Sequence, residues 1–315
     1  MRAVFLLFLV SVLGVVSNNS GYANDTVRIV VGFTPGGGSD RIAREAQQVL
    51  QSAGRNTIID YRPGAGGDLA AREVANSRDS QTTLLLVTTI NLTVRNLRTH
   101  DVYRLRDLQP VIYLGHVPVV LVTSKTTGIK NFDNFVKDSR TLTFGSSGIG
   151  SGTHLNGELI FSAARKTMLH VPYRGNSQLM PDLIAGRIDS SVIFPIQARG
   201  LVDQGDINAV AILGSRRIDF LPGVPTLDEL GFADQYRKLR HVFFASPGTS
   251  SGQIQELVQI FSRTFSNNHI AVRFRQNADM QIEPHNLQNL PRIMQEEFTV
   301  YRRLAARIPE ILNSD

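Results

Sequence analysis

The chain of 315 residues contains no cysteine and no tryptophan. Without cysteine, disulfides, thiol catalysis, cysteine-ligated zinc and iron–sulfur clusters are excluded. An acylated-cysteine lipid anchor is excluded with them. Lysine is scarce, and arginine supplies most of the 33 basic residues set against 27 acidic ones. The resulting +6 charge is mild and scattered, with no run of five basic residues. Nucleic-acid surfaces usually cluster basic side chains among aromatics, so no nucleic-acid partner is expected. The seven histidines show no HxH or HExxH spacing, so no metal site is expected. There is no G-x-x-x-x-G-K-S/T phosphate cradle, and Gly36-Gly37-Gly38 lacks GxGxxG spacing. No cofactor is therefore expected.

The N-terminus reads as an export signal. Met1-Arg2 is a short positive start, and Ala3 to Val16 is apolar except for Ser11 and Gly14. A polar stretch then leads to Gly21-Tyr22-Ala23, a small-residue cleavage pattern. The apolar run is shorter than the roughly 20 residues that a spanning helix needs. Residues 1–23 are expected to be cleaved, leaving a soluble periplasmic protein.

From Val27 onward the chain alternates strand, turn and helix. Val27–Phe33 reads as a strand, Thr34–Gly38 as a glycine-rich turn and Ser39–Ala53 as a helix. Thr57–Tyr61 and Thr83–Thr88 are further strands around a loop and helix ending near Asn76. The same order restarts with Leu142–Phe144, the turn Gly145–Gly152 and the helix Thr153–Ala164. Such alternation predicts helices covering largely parallel sheets, here as two α/β units. Val111–Ser124, broken at His116 and Pro118, is a candidate crossing between them. The helical stretch after Gly248 is expected to return to the first unit.

Both units open with a glycine turn at a helix start. Glycines permit close backbone approach, and free N–H groups with the helix dipole favour an anion. Two such turns on facing units would hold a dianion at both ends. Asp40 is expected to stabilise its helix start rather than to bind ligand. The serines at the second turn, Ser146 and Ser147, do not have the GxSxG spacing of a nucleophile elbow. His154 is near in sequence, which leaves an exported serine hydrolase as an alternative.

These segments resemble the periplasmic receptors of tripartite tricarboxylate transporters, the Bug-type family. The resemblance runs over essentially the whole chain after the signal. It rests on Ile29–Asp40, on Tyr61-Arg62-Pro63-Gly64-Ala65-Gly66-Gly67 and on Gly145–Leu159. His170–Gly175, Leu221–Thr226 and Ala245–Thr249 also match. It implies a two-lobe α/β fold of the class II periplasmic binding-protein type, with a hinge. Lobe 1 is expected over 24–117 and 243–315, and lobe 2 over 118–242. The resemblance implies a monomeric, non-enzymatic receptor that captures a small carboxylate between the lobes. Membrane permease subunits would be its partner, or a sensor kinase in the signalling variant of this reading.

Carried over by motif, the ligand residues are Phe33, Thr34, Gly36 and Gly37, then Thr88 and Thr89. In the second lobe they are Ser146, Ser147, Gly148 and Thr153. Departures from the family pattern are informative. Tyr61 replaces the usual Asn. Ile193 stands where amino-acid-binding members carry an Asp, which favours a non-amino acid. Leu239–Val242 lacks the usual Trp. Arg95 and Arg98 are unusual, and either could reach a second carboxylate or simply be a solvated loop side chain.

Overall fold

The computed structural model describes residues 26–78, 81–95, 97, 107–266, 268–283, 287–306 and 308. The expected signal segment and Arg98 lie outside the described residues. Strand β1 (Val27–Val31) is apolar except for Arg28, and its edges meet β2 (Thr57–Tyr61) and β3 (Thr83–Thr88), both parallel to it. Helix α1 (Gly38–Ser52) buries Ile42, Ala43, Ala46, Val49 and Leu50, its expected apolar face. Gly54, at φ +81, ends it. Helix α2 (Asp68–Asn76) precedes β3, and the short α3 (Thr89–Arg95) follows β3 directly.

Strand β4 (Gln109–Val117) leads through Pro118 into β5 (Val119–Ser124). These two strands belong to different sheets. The second sheet continues with α4 (Phe132–Lys137), β6 (Leu142–Ser146), α5 (Gly152–Ala163), β7 (Met168–Pro172) and α6 (Asn176–Ile184). Then come β8 (Ser190–Ile193), α7 (Pro195–Asp203) and β9 (Ile207–Leu213). After residues 214–238 the chain returns as β10 (Leu239–Ala245), antiparallel between β3 and β4. Helices α8 (Ser251–Phe265) and α9 (Asn268–Ala278), strand β11 (Gln281–Ile282) and α10 (Leu290–Ala305) follow.

The sheet orders are β11-β4-β10-β3-β1-β2 and β7-β6-β8-β5-β9. The two-lobe α/β expectation therefore holds. The parallel strands come from strand–helix–strand units, as expected. Each lobe also carries antiparallel pairs, supplied where the chain crosses over. The boundary read at 242/243 falls inside β10, which pairs with β4 from Leu239 onward. Every residue of β3 and β5 is buried, as strands covered on both faces require.

Candidate functional site

The loop after β1 is shaped by its own residues. Gly36 sits at φ +85 and donates its N–H to Asp40 Oδ2 at 2.9 Å. The Tyr61 hydroxyl donates to the other Asp40 oxygen, and Arg44 Nε donates to Oδ2 at 3.1 Å. Asp40 thus holds the loop, the structural role expected of it. Tyr61 is its partner. Burial pushes the Tyr61 phenol up to about 12, and the hydrogen bond to Asp40 adds to this. Gly37 caps α1 without a side-chain hydrogen bond, so its first-turn N–H groups receive no side-chain cap.

The second turn differs from the first. Ser151 caps α5 by accepting the His154 N–H. The Ser147 N–H donates to Thr153 Oγ1 at 3.0 Å and the Gly148 N–H to Ser146 Oγ at 3.2 Å. The Gly150 N–H donates to His154 Nδ1 at 3.1 Å. Much of this turn's backbone is already bonded internally. What it presents is hydroxyl chemistry, with Ser147 and Thr153 joined at 2.8 Å.

The two loops face each other across a cleft of about 400 Å³, open on one side to solvent. Of the expected residues, Phe33, Thr34, Gly37, Thr88, Ser147 and Thr153 line it together. The others are placed differently. Gly36 and Gly148 shape the loops behind the lining. Thr89 is fully buried and donates its hydroxyl to Glu297 Oε1 at 2.9 Å. Ser146 is fully buried, with its hydroxyl 2.7 Å from His170 Nε2.

Sequence reasoning missed Asn91, Asn176, Phe194 and Leu239, which also line the cleft. Asn91 sits three residues beyond Thr88, and a helix after β3 would have shown it on the same side. Ile193, which stands where amino-acid-binding members are expected to carry an Asp, is buried in the second lobe's apolar core. Successive side chains on a strand point to opposite sides, so the next residue, Phe194, turns to the cleft instead. Its ring fills the space where a Cβ on Gly38 would stand, 2.4 Å away. No charged side chain lines the cleft among the described residues. The lining is hydroxyls, amides, backbone and apolar rings. The starts of α1, α5 and α6 border it through Gly38, Thr153 and Asn176.

The pairing of Ser146 or Ser147 with His154 that the hydrolase alternative requires is not among the described contacts. His154 stacks on His170 at 3.8 Å between ring centroids and lies 3.4 Å from Glu158. Its two nitrogens therefore face Gly150 and Glu158, not the serines. Burial, with His154 as neighbour, pushes His170 down to about 3. A histidine held there is a poor general base near neutral pH.

Comparison with known proteins gives a consistent result. Residues 42–309 match the family model described as the tripartite tricarboxylate transporter family receptor. An Agrobacterium vitis protein, from the TAR-I ttuE-ttuC' intergenic region, is 30% identical over 280 residues. That match covers 87% of this chain and 81% of the relative. A Rhodopseudomonas palustris protein solved with adipate is 25% identical, with a TM-score of 0.80 over 91% of this chain and 98% of its own. MatC from Rhodopseudomonas palustris, solved with malate, is 24% identical, with a TM-score of 0.76 over 88% and 97%.

Proposed function

The chain belongs to the tripartite tricarboxylate transporter receptor family, and from that premise we propose that it captures a non-amino di- or tricarboxylate between its lobes for delivery to membrane permease subunits. Among the described residues no helix is long and apolar enough to cross a membrane, which suits a periplasmic carrier. The observation that carries the reading is the cleft lining: neutral donors and helix starts from both lobes, with no acidic side chain among the described residues. Helix N-termini favour anions through their unpaired N–H groups and dipole. Hydroxyls and ordered waters complete a carboxylate's hydrogen bonds without fixing one ligand shape. Similar proteins solved with malate and adipate support the same chemistry.

We assign ligand contacts to Phe33, Thr34, Gly37, Thr88, Ser147 and Thr153, and a supporting role to Thr89 and Ser146. We place the lobe crossings at Pro118 and within residues 214–238. Closure around the ligand would give the permease a distinct shape to recognise. The test is a thermal-unfolding scan and calorimetric titration of the chain against malate, succinate, adipate, citrate and a neutral ester. A ligand at about 100 times its Kd adds roughly 2.7 kcal/mol, or several degrees. A shift with one class of acid is expected. Ester turnover, or no response to any acid in a folded sample, would sink the reading.

A further inference from the structure

Two helix starts border the cleft, and each is met by an apolar side chain from the opposite lobe. Helix α1 begins at Gly38 in the first lobe, and the Phe194 ring of the second lobe lies against it. A Cβ on Gly38 would stand 2.4 Å from Phe194 Cδ1 and 2.5 Å from Cε1. Helix α5 begins at Gly152 in the second lobe, and Leu239, which opens β10 in the first sheet, lies against it. A Cβ on Gly152 would stand 2.5 Å from Leu239 Cδ2. Each glycine leaves room for a side chain that arrives from across the cleft.

The backbone around Phe194 fixes where its ring goes. Pro195 opens α7 and favours an extended residue before it, and Phe194 has φ −74 and ψ 145. The Phe194 carbonyl accepts the Gln197 and Ala198 N–H groups at 3.0 and 3.2 Å. The Ile196 N–H donates to Asp279 Oδ2 on the first-lobe side, which ties this turn across the lobes. The ring is buried, with the His241 ring 6.5 Å away between centroids. It shares an apolar cluster with Ile42 of α1 and with Leu239, whereas its neighbour Ile193 belongs to the second lobe's cluster. The second lobe thus carries the ring, and the first lobe supplies the surface on which it rests.

We propose that Phe194 determines the width of the ligand: its ring, closing onto the start of α1, admits a straight carbon chain and rejects one branched at its middle. This rests on the receptor reading and adds a selection step to it. An acid held by the first loop of an open chain does not yet meet the ring. Closure brings the ring to the start of α1, which has no side-chain cap. A methyl branch there must push the ring aside, and Gly38 and His241 confine it. Selection is therefore made at closure, by the lobe that the ligand meets second. A ring that served only as packing would affect closure around straight and branched acids alike.

The experiment titrates the whole chain with two matched pairs, succinate against α,α-dimethylsuccinate and glutarate against β,β-dimethylglutarate. Each pair keeps both carboxylates and differs only in its methyl branches. The wild-type chain should bind the straight acid at least about tenfold tighter, the factor that surplus methyl groups cost in a packed pocket. In Phe194→Ala the preference should fall to within about twofold, with the branched acid gaining affinity. Should F194A fail to fold, Phe194→Leu keeps an apolar contact at Gly38 and should narrow the ratio at least about threefold. Equal binding of straight and branched acids by the wild-type chain overturns the proposal and leaves the receptor reading intact. So does an unchanged ratio in the folded variant. Failure of both straight acids to bind overturns it as well, while the wider panel of acids decides the receptor reading.

Discussion

The Thr34 hydroxyl of the first lobe lies 2.8 Å from the Ser177 hydroxyl of the second. The bond sits beside the cleft and is one of several places where the lobes touch. A Cβ on Gly66 would stand 2.5 Å from the Ile149 carbonyl, so only glycine admits that approach. The Ile196 N–H, at the start of α7, donates to Asp279 Oδ2 at 2.6 Å across the lobes. The lobes in this structure are therefore in contact at these three places.

Gly175→Ala should loosen that contact. Gly175 has φ 162, extended backbone that alanine adopts without strain. The new Cβ would nevertheless lie 2.3 Å from Thr34 Oγ1. The lobes must separate slightly to admit it, which lowers the closed population. A tenfold drop in that population weakens apparent binding about tenfold. Calorimetric titration reads the affinity, and small-angle scattering of the liganded chain should give a larger radius. Unchanged affinity and radius would mean that the Thr34–Ser177 contact does not guard closure.

Gly37→Val tests the first loop as an anion site. Gly37 has φ −84, and a Cβ there meets only the Thr34 carbonyl, at an ordinary 3.6 Å. The fold should tolerate valine, with the unfolding temperature within a few degrees of wild type. The isopropyl group would intrude on the cleft beside the uncapped start of α1. Carboxylate affinity should fall at least about tenfold, comparable to losing one charged hydrogen bond. Tight binding in the variant would move the carboxylate elsewhere.

Much of this was legible in the sequence, and the limits have physical causes. Strands such as Thr57–Tyr61 and Thr83–Thr88 were read at their observed bounds, because turn residues or a change in periodicity mark both ends. Helix α3 was not read, since Thr89–Arg95 is short and follows β3 without a turn. Asn91 was hidden with it, while Arg95 stood out only as a departure from the family pattern. Strand β10 was placed only through the family resemblance, because its partners β3 and β4 are far away in the chain. At the site, local motifs supplied the loop residues. They could not tell which hydroxyl faces the cleft: Thr88 does, while Thr89 turns to Glu297 on α10.

Asp279 should make stability depend on pH in a defined direction. Burial pushes its carboxyl up to about 6, against the opposing influence of the Ile196 N–H, Arg41 and Arg199. A raised folded-state pKa means that its contribution is fully present below about pH 4. It is lost as pH rises through about 6. Above that, the chain carries the cost of a partly buried charge. Asp279→Asn keeps a carbonyl acceptor for Ile196 without the charge. Asn also suits the observed φ of 53. The variant should be about 1–2 kcal/mol more stable than wild type at pH 7.5, a value discounted for partial exposure, and indistinguishable at pH 4. Denaturant titrations at the two pH values measure this. A D279N that is less stable at pH 7.5 would show the carboxylate to be stabilising.

The last prediction concerns the amino group. Glutarate and glutamate share a carbon skeleton and both carboxylates, so their affinity ratio isolates the ammonium. Among the described residues no acidic side chain lines the cleft wall, and Ile193 is turned into the core. An ammonium entering the cleft would lose water and find hydroxyls, amides and the Phe194 ring. A cation over a ring recovers about 0.5–2 kcal/mol. Desolvating an unpaired charge costs more than that. Glutarate should therefore bind at least about tenfold tighter than glutamate in parallel titrations. Phe194→Asp should narrow the ratio by placing a carboxylate at the wall, provided that the gap left beside Gly38 does not unfold the lobe. Glutamate binding as tightly as glutarate to the wild-type chain would show that neutral acceptors alone accommodate the ammonium. The lining would then no longer argue for a non-amino ligand, and the substrate class would have to rest on the second carboxylate alone.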